Sequence, residues 1–201
     1  MEAHIIQPLH DLRERFRTAF FESLRTDERA PLLKEAASTQ RLGVWTRELT
    51  AVTVLTCRRL NWQASAKSHR LELLPLPRSE YLGIDVVAFA EGPKRWRFPA
   101  AVIELENSQH PDRIAYALWK VLAVRANLRI VFCYRPNGAL APPLLKHLRE
   151  EVVDAMGLAG RAKLDGQTLL VVGSRNESET FPYGYFAWWE LNTNTGHFEK
   201  F

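Results

Sequence analysis

The chain has 201 residues, 46% of them apolar and 25% charged, with a net charge of +4. That balance belongs to a globular chain able to bury a core, and it excludes general disorder. No run approaches the ~18 apolar residues of a membrane span, so no membrane partner is expected. The start, MEAHIIQPLHDLRERF, lacks the basic head and apolar stretch of a signal peptide. The only cysteines, Cys57 and Cys133, stand far apart in apolar contexts. They read as buried free thiols of a reducing, cytoplasmic compartment. There is no CxxC or HExxH, no Gly-rich phosphate loop, no nucleophile elbow and no dinucleotide fingerprint. His4, His10, His69, His110, His147 and His197 are scattered.

In chain order, Leu12, Phe16, Phe20 and Leu24 recur every four residues and predict a helix over 8–26. Residues 27–38 read as a polar link. A second helix is expected from Thr39 to Leu60, capped by Ser38 or Thr39. The period then changes. RLELLPL (70–76) reads as a strand ended by Pro75 and Pro77, and YLGIDVVAFA (81–90) as a β-branched strand. EGPKRWR is a turn-bearing loop before the strand FPAAVIELE (98–106). A helix over Pro111–Arg125 follows, with Pro111 in its first turn and Ile114, Ala117, Leu118, Val121 and Leu122 at helical spacing. LRIVFCY (128–134) is a central strand, expected parallel to its predecessor across that helix. A helix over 143–156 should end at Gly157. QTLLVVG is another strand, and YFAWWELNTNTGHFEKF a closing hairpin turning at Asn194-Thr195-Gly196. The whole reads as an α/β fold with a mixed central sheet flanked by helices. Residues 1–38 are expected as a helical extension, and 39–201 as a single domain with a core over 39–134.

The chemistry concentrates in one strand. Side chains alternate along it, so Val102, Glu104 and Glu106 share a face and Ala101, Ile103 and Leu105 the other. The preceding strand is joined by a short loop, so an antiparallel hairpin is the default. A turn centred on Lys94-Arg95 sets Asp85 directly opposite Glu104, with Cβ atoms about 4.5–5.5 Å apart. Unpaired carboxylates among apolar neighbours are costly, and a basic partner, a raised pKa or a divalent metal resolves the cost. Oxygen ligands suit Mg²⁺ or Mn²⁺. On the next helix Arg113, Tyr116 and Lys120 form one stripe, and Lys120 is the cation that can face the carboxylates. The bland alternatives are solvated glutamates on an edge strand and a snorkelling lysine.

This pattern resembles the PD-(D/E)xK nuclease superfamily, whose restriction-endonuclease-like core runs αβββαβ. GID, with Asp85, matches the Asp of the second core strand. ELE (104–106) matches the (E/D)xK tripeptide, with Glu106 at the lysine position. The resemblance covers Thr39 to Tyr134. It implies hydrolysis of nucleic-acid phosphodiester bonds, DNA above RNA, with Asp85 and Glu104 holding Mg²⁺ or Mn²⁺ and Glu106 as ligand or water-orienting base. Lys120 would take the displaced lysine's role, and Glu48, on the preceding helix, is a weaker ligand candidate. A homodimer is compatible with this reading. Because the lysine has left its usual place, the competing reading is a catalytically degenerate fold that binds nucleic acid or protein.

Other features carry less. His110 lies nearest the carboxylates and could shuttle a proton, though it more simply begins a helix. Arg58, Arg59, Lys94 to Arg97 and Arg125 to Arg129 could line a phosphate-facing surface or be solvated singly. The aromatic C-terminal run could stack bases or meet a protein, but packing of Trp188 or Trp189 into the core is the simpler account.

Overall fold

A computed structural model describes residues 12–26, 29–76 and 78–201. A seven-stranded mixed sheet runs through the molecule in sequence order, β1 to β7. Its strands are β1 (Trp62–Ala66), β2 (Val86–Ala90), β3 (Ala101–Leu105), β4 (Leu128–Arg135), β5 (Gln167–Ser174), β6 (Phe186–Leu191) and β7 (Phe198–Lys200). β3, β4 and β5 are parallel neighbours, and every other pairing is antiparallel. The parallel centre follows from the long apolar runs there: all residues of β3 and β4 are buried, as a strand covered on both faces requires.

Helices cover both faces. On one lie α1 (Leu12–Thr26), α2 (Arg29–Ser38) and α3 (Leu42–Arg59). Phe16, Phe20, Leu24, Leu33, Leu49 and Val52 pack there against Ala101, Ile103, Ile130 and Phe132. On the other lie α4 (Pro111–Leu122) and α5 (Ala141–Leu148). There Ile114, Leu118, Val121 and Leu144 pack against Val87, Val102, Val131 and Leu170. The alternation of β3 thus divides the two cores, with Ile103 in the first and Val102 in the second. The succession α3, β1, β2, β3, α4, β4 is the expected αβββαβ order.

Several expectations change. The predicted link over 27–38 holds α2, whose Leu33, Ala36 and Ala37 are buried; its exposed polar residues masked the apolar face. Ser38 and Thr39 do not cap α3, whose cap residue is Arg41. Their hydroxyls donate to Glu35 O and close α2 instead. The segment 70–76 is not a strand, since Pro75 interrupts it. The strand beside β2 is WQASA, whose small residues hide its period. The signal was Asn61, at φ 59°, which turns the chain out of α3 in the left-handed conformation that asparagine tolerates. The predicted helix over 143–156 breaks after Leu148 into a π turn (Arg149–Val153) and a 3₁₀ turn (Asp154–Met156). Gly157, at φ 63°, caps this run as expected, and the short α6 (Gly157–Arg161) follows. Residues 8–11 of the first predicted helix lie outside the described residues, as do His4 and His10.

Trp188 is enclosed by Phe16, Phe20, Phe21, Phe132 and Phe201, whose ring centroids lie 5.6–6.4 Å from its own. The neighbouring Trp189 faces the other core and is only partly buried. Trp188→Ala should therefore cost about 3–5 kcal/mol of unfolding free energy and Trp189→Ala about half of that or less, as read from denaturant midpoints.

Candidate functional site

The site begins with the pairing of β2 and β3. Val86 lies opposite Ile103, Val87 opposite Val102 and Ala88 opposite Ala101. One step further along this diagonal Asp85 stands opposite Glu104, the register expected from the loop. β2 stops as a ladder at Val86, and the Asp85 side chain continues it: Leu105 N–H donates to Asp85 Oδ2 at 2.8 Å. Asp85 is half-buried, while Glu104 is 5% exposed.

Lys120 reaches this carboxylate from α4. Its Nζ lies 2.7 Å from Glu104 Oε1 and donates to Gly83 O at 3.1 Å. The same ammonium stands 5.6 Å from the Tyr116 ring centroid. The contact with Glu104 is close but oblique, so Oε1 has a neighbouring positive charge and no well-directed donor. Burial lifts the Glu104 pKa from 4.5 to about 7; Lys120 draws it down, and the charges of Asp85 and Glu106 raise it further. Glu104 thus titrates near neutrality in the field of the other groups.

Glu106 follows β3. Its N–H donates to Phe132 O at 2.9 Å, so the parallel ladder runs one residue past the strand. Its Oε1 accepts from Ser108 N–H at 2.6 Å. The loop beyond is tied down by Asn107 Nδ2 donating to Thr46 Oγ1, Arg175 Nη2 to Asn107 O and Arg135 Nη1 to Gln109 O, each at 2.6 Å. These anchors fix where α4 begins and hence where Lys120 ends up. His110 is the N-cap of α4, with Nδ1 accepting from Asp112 N–H at 3.3 Å. A cavity of about 420 Å³ opens on this side, lined by Glu106, His110, Asp112, Arg113 and Tyr116. A second cavity, about 540 Å³, lies on the other flank and meets the site at Gly83.

The structure therefore brings Asp85, Glu104, Glu106 and Lys120 to one end of β2 and β3. It does not bring Glu48 to them. That carboxylate is buried on α3, 2.7 Å from Arg29 Nη1 and 2.8 Å from Arg47 Nε. The expected basic surface is also thinned. Arg129 is buried and donates to Val124 O and Asp165 O, and Arg59 lies 3.7 Å from Glu22. Gly83 and the loop anchors Arg135 and Arg175 were missed. A carbonyl leaves no trace in a sequence, but an arginine closing a buried apolar strand, as Arg135 does, is a readable signal.

Among the described residues, no three His, Cys, Asp or Glu side chains already form a cluster that could hold a metal ion. Two carboxylates do suffice for Mg²⁺, which keeps several waters and takes one or two protein oxygens. Glu104 Oε1, buried and without a directed donor, suits such an ion. No helix among the described residues is long and apolar enough to cross a membrane.

No family model matches the chain. No curated protein matches it in sequence. Among solved structures, NucC of E. coli MS115-1 in its cAAA-bound form is similar with a TM-score of 0.48 and 15% identity, over 94% of this chain and 82% of that one. At that level the likeness carries no argument about activity, and the site rests on its own geometry.

The Glu104 shift has a measurable consequence without any metal. The folded protein keeps a proton on Glu104 up to about pH 7, whereas an ordinary glutamate loses it near 4.5. The contribution of this group to stability is present in full below pH 4.5 and is lost as pH rises to 7. Glu104→Gln cannot ionise. Its unfolding free energy relative to the parent should therefore rise between pH 4.5 and 7, by on the order of 3 kcal/mol, and level off above. Chemical denaturation in EDTA across that range reads this directly; a difference that stays flat would show that Glu104 titrates normally.

Proposed function

We propose that the protein is a divalent-metal-dependent hydrolase of phosphodiester bonds in nucleic acid. The observation that carries the reading is the placement of Asp85 across from the buried Glu104, with Lys120 2.7 Å from the latter. A buried carboxylate with one poorly directed cation and a second carboxylate beside it is a site that gains from a further positive charge. Asp85 and Glu104 would hold Mg²⁺ or Mn²⁺. An ion bound there supplies an activated water and stabilises the leaving oxygen.

The chain's own groups do the rest. Asp85 has Oδ2 fixed by the Leu105 amide, which leaves Oδ1 to a ligand. Glu106 has Oε1 fixed by the Ser108 amide, which leaves Oε2 to orient a water or to complete the ligand set. Lys120 stands where negative charge builds up on a phosphate held against Glu104, and its link to Gly83 O keeps it there. Arg113, on the wall of the adjoining cavity, is the nearby group suited to a neighbouring phosphate.

One observation favours a second reading. Lys120 already offsets the charge of Glu104, as it would in a fold that binds nucleic acid or protein without cutting it. Metal titration separates the two. Under the hydrolase reading, calorimetry detects Mn²⁺ binding to the parent protein and a loss of it in Asp85→Asn.

Cleavage of single-stranded DNA, duplex DNA and RNA should require Mg²⁺ or Mn²⁺ and stop in EDTA. Asp85→Asn and Glu104→Gln should each lower the rate by about 10²-fold or more, and Lys120→Met by a similar factor. Carboxylate variants that cut as fast as the parent would remove the assigned site from consideration.

A further inference from the structure

We infer that the groove flanking the carboxylates receives the unpaired bases of a single-stranded nucleic acid. This deepens the hydrolase reading and rests on it for the identity of the polymer.

The groove is a cavity of about 540 Å³, within the ~300–1,000 Å³ of small-molecule sites. Val87 and Phe89 of β2 and the ring of Tyr81 lie along it. Its lips are Leu82, Trp96 and Phe98, exposed by 68%, 67% and 77%. One exposed apolar residue is ordinary on a protein surface; three large ones around a single groove mark a binding face. Leu82 sits at φ 60°, a left-handed conformation that costs a leucine stability and sets its side chain on the rim.

Charge identifies the occupant. Arg78 lines the groove, and Arg125 stands 5.7 Å over the Phe98 ring. Lys94 and Arg95 line an adjoining cavity of about 330 Å³. No carboxylate pairs with any of these four cations among the described residues. Arg97 is committed to the fold, since it donates to Gln63 Oε1, Ala90 O and Leu73 O and so holds the Trp96–Phe98 loop in place. Glu72 and Glu80 are the opposing charges, so the rim stays net basic. Flat aromatic surfaces inside a basic rim match a polyanion that carries flat apolar groups, which is a nucleic acid with its bases unstacked. A duplex keeps its bases stacked within and could meet only the rim. An apolar peptide would use the lips and leave the cations without a role.

The groove also opens onto the site. Gly83 lines it, and the Gly83 carbonyl takes the Lys120 ammonium at 3.1 Å. A strand with a base in the groove would have a neighbouring phosphate at the Gly83 edge, next to the Lys120 ammonium.

The test measures binding by fluorescence anisotropy in EDTA, so that it is independent of cleavage. The probes are ~12-nucleotide dT and rU strands, a duplex of equal length and an abasic strand of equal length, a span suited to one such site. The parent protein should bind dT or rU about tenfold more tightly than the duplex or the abasic strand, and the tighter of the two names the sugar. Trp96→Ala and Phe98→Ala should each weaken single-strand binding about tenfold and leave duplex binding unchanged. Both side chains are exposed, so thermal unfolding of the variants should match the parent. Equal affinity for duplex and single strand, unaltered affinity in both variants, or no binding of any probe overturns the inference. If the strands bind as expected while Asp85→Asn leaves cleavage untouched, the metal site is wrong and the groove stands. If cleavage needs Asp85 but the bases make no difference, the groove is wrong and the metal site stands.

Discussion

A carboxylate on a strand whose residues are all buried must be neutralised where it stands, because ionising it unpaired in such a place is among the largest costs a fold can carry. Glu104 is that carboxylate, and much of the surrounding structure is arranged around it. Lys120 can reach it only if α4 starts at the right point after β3. That start is set by a loop whose carbonyls are held by Arg135 and Arg175 and whose Asn107 is bonded to Thr46. The helix runs antiparallel to the sheet direction as the crossover between parallel β3 and β4, which needs an apolar face toward Val102 and Val131. Ile114, Leu118 and Val121 supply it, so Lys120 emerges at the edge of that face with its ammonium over the end of β3. Packing places the helix, and the ion pair exploits the placement.

The central strands and the parallel pairing of β3 with β4 were legible because burial on both faces forces long apolar runs. The register of β2 on β3 followed from placing the turn of the connection over 91–100 at Lys94-Arg95, and it set Asp85 against Glu104. What escaped had physical causes. β1 is built from Trp62, Gln63, Ala64, Ser65 and Ala66, and small side chains show no alternation even where they are buried. The α2 segment escaped because two exposed leucine-flanking lysine and glutamate positions diluted its apolar face. Around Glu104, the Gly83 carbonyl and the Leu105 and Ser108 amides are backbone groups, and no residue type announces them. Glu48 illustrates the converse: an acidic residue at a suggestive position was drawn to Arg29 and Arg47, a local choice that depends on where α2 lies.

The position of Glu106 takes its meaning from the same geometry. A lysine there would stand on the Glu104 side of the strand and offer its charge from within the sheet. With Glu106 in that place, the cation found at the carboxylate among the described residues comes from the next helix. The helical cation is better exposed to its surroundings: it touches Gly83 O on one side and the Tyr116 ring on the other. These are the points at which the two cavities approach the site, one lined by Gly83 and the other by Tyr116. Lys120 therefore stands between a lining residue of each cavity as well as compensating a buried charge.

That junction bears on how binding and charge would be coupled. The Lys120 ammonium is shared among Glu104 Oε1, the Gly83 carbonyl and the Tyr116 ring. An anion arriving between the cavities can draw on the ammonium, which weakens its hold on Glu104. A carboxylate so released would gain from a divalent cation, since burial above all, and the charges of Asp85 and Glu106 after it, disfavour its ionised form when it stands alone. Anion and metal would then each favour the other by the same factor, since linkage makes any such coupling equal in both directions. The arrangement needs no moving domain, because a single side chain between two cavities is enough to carry the coupling.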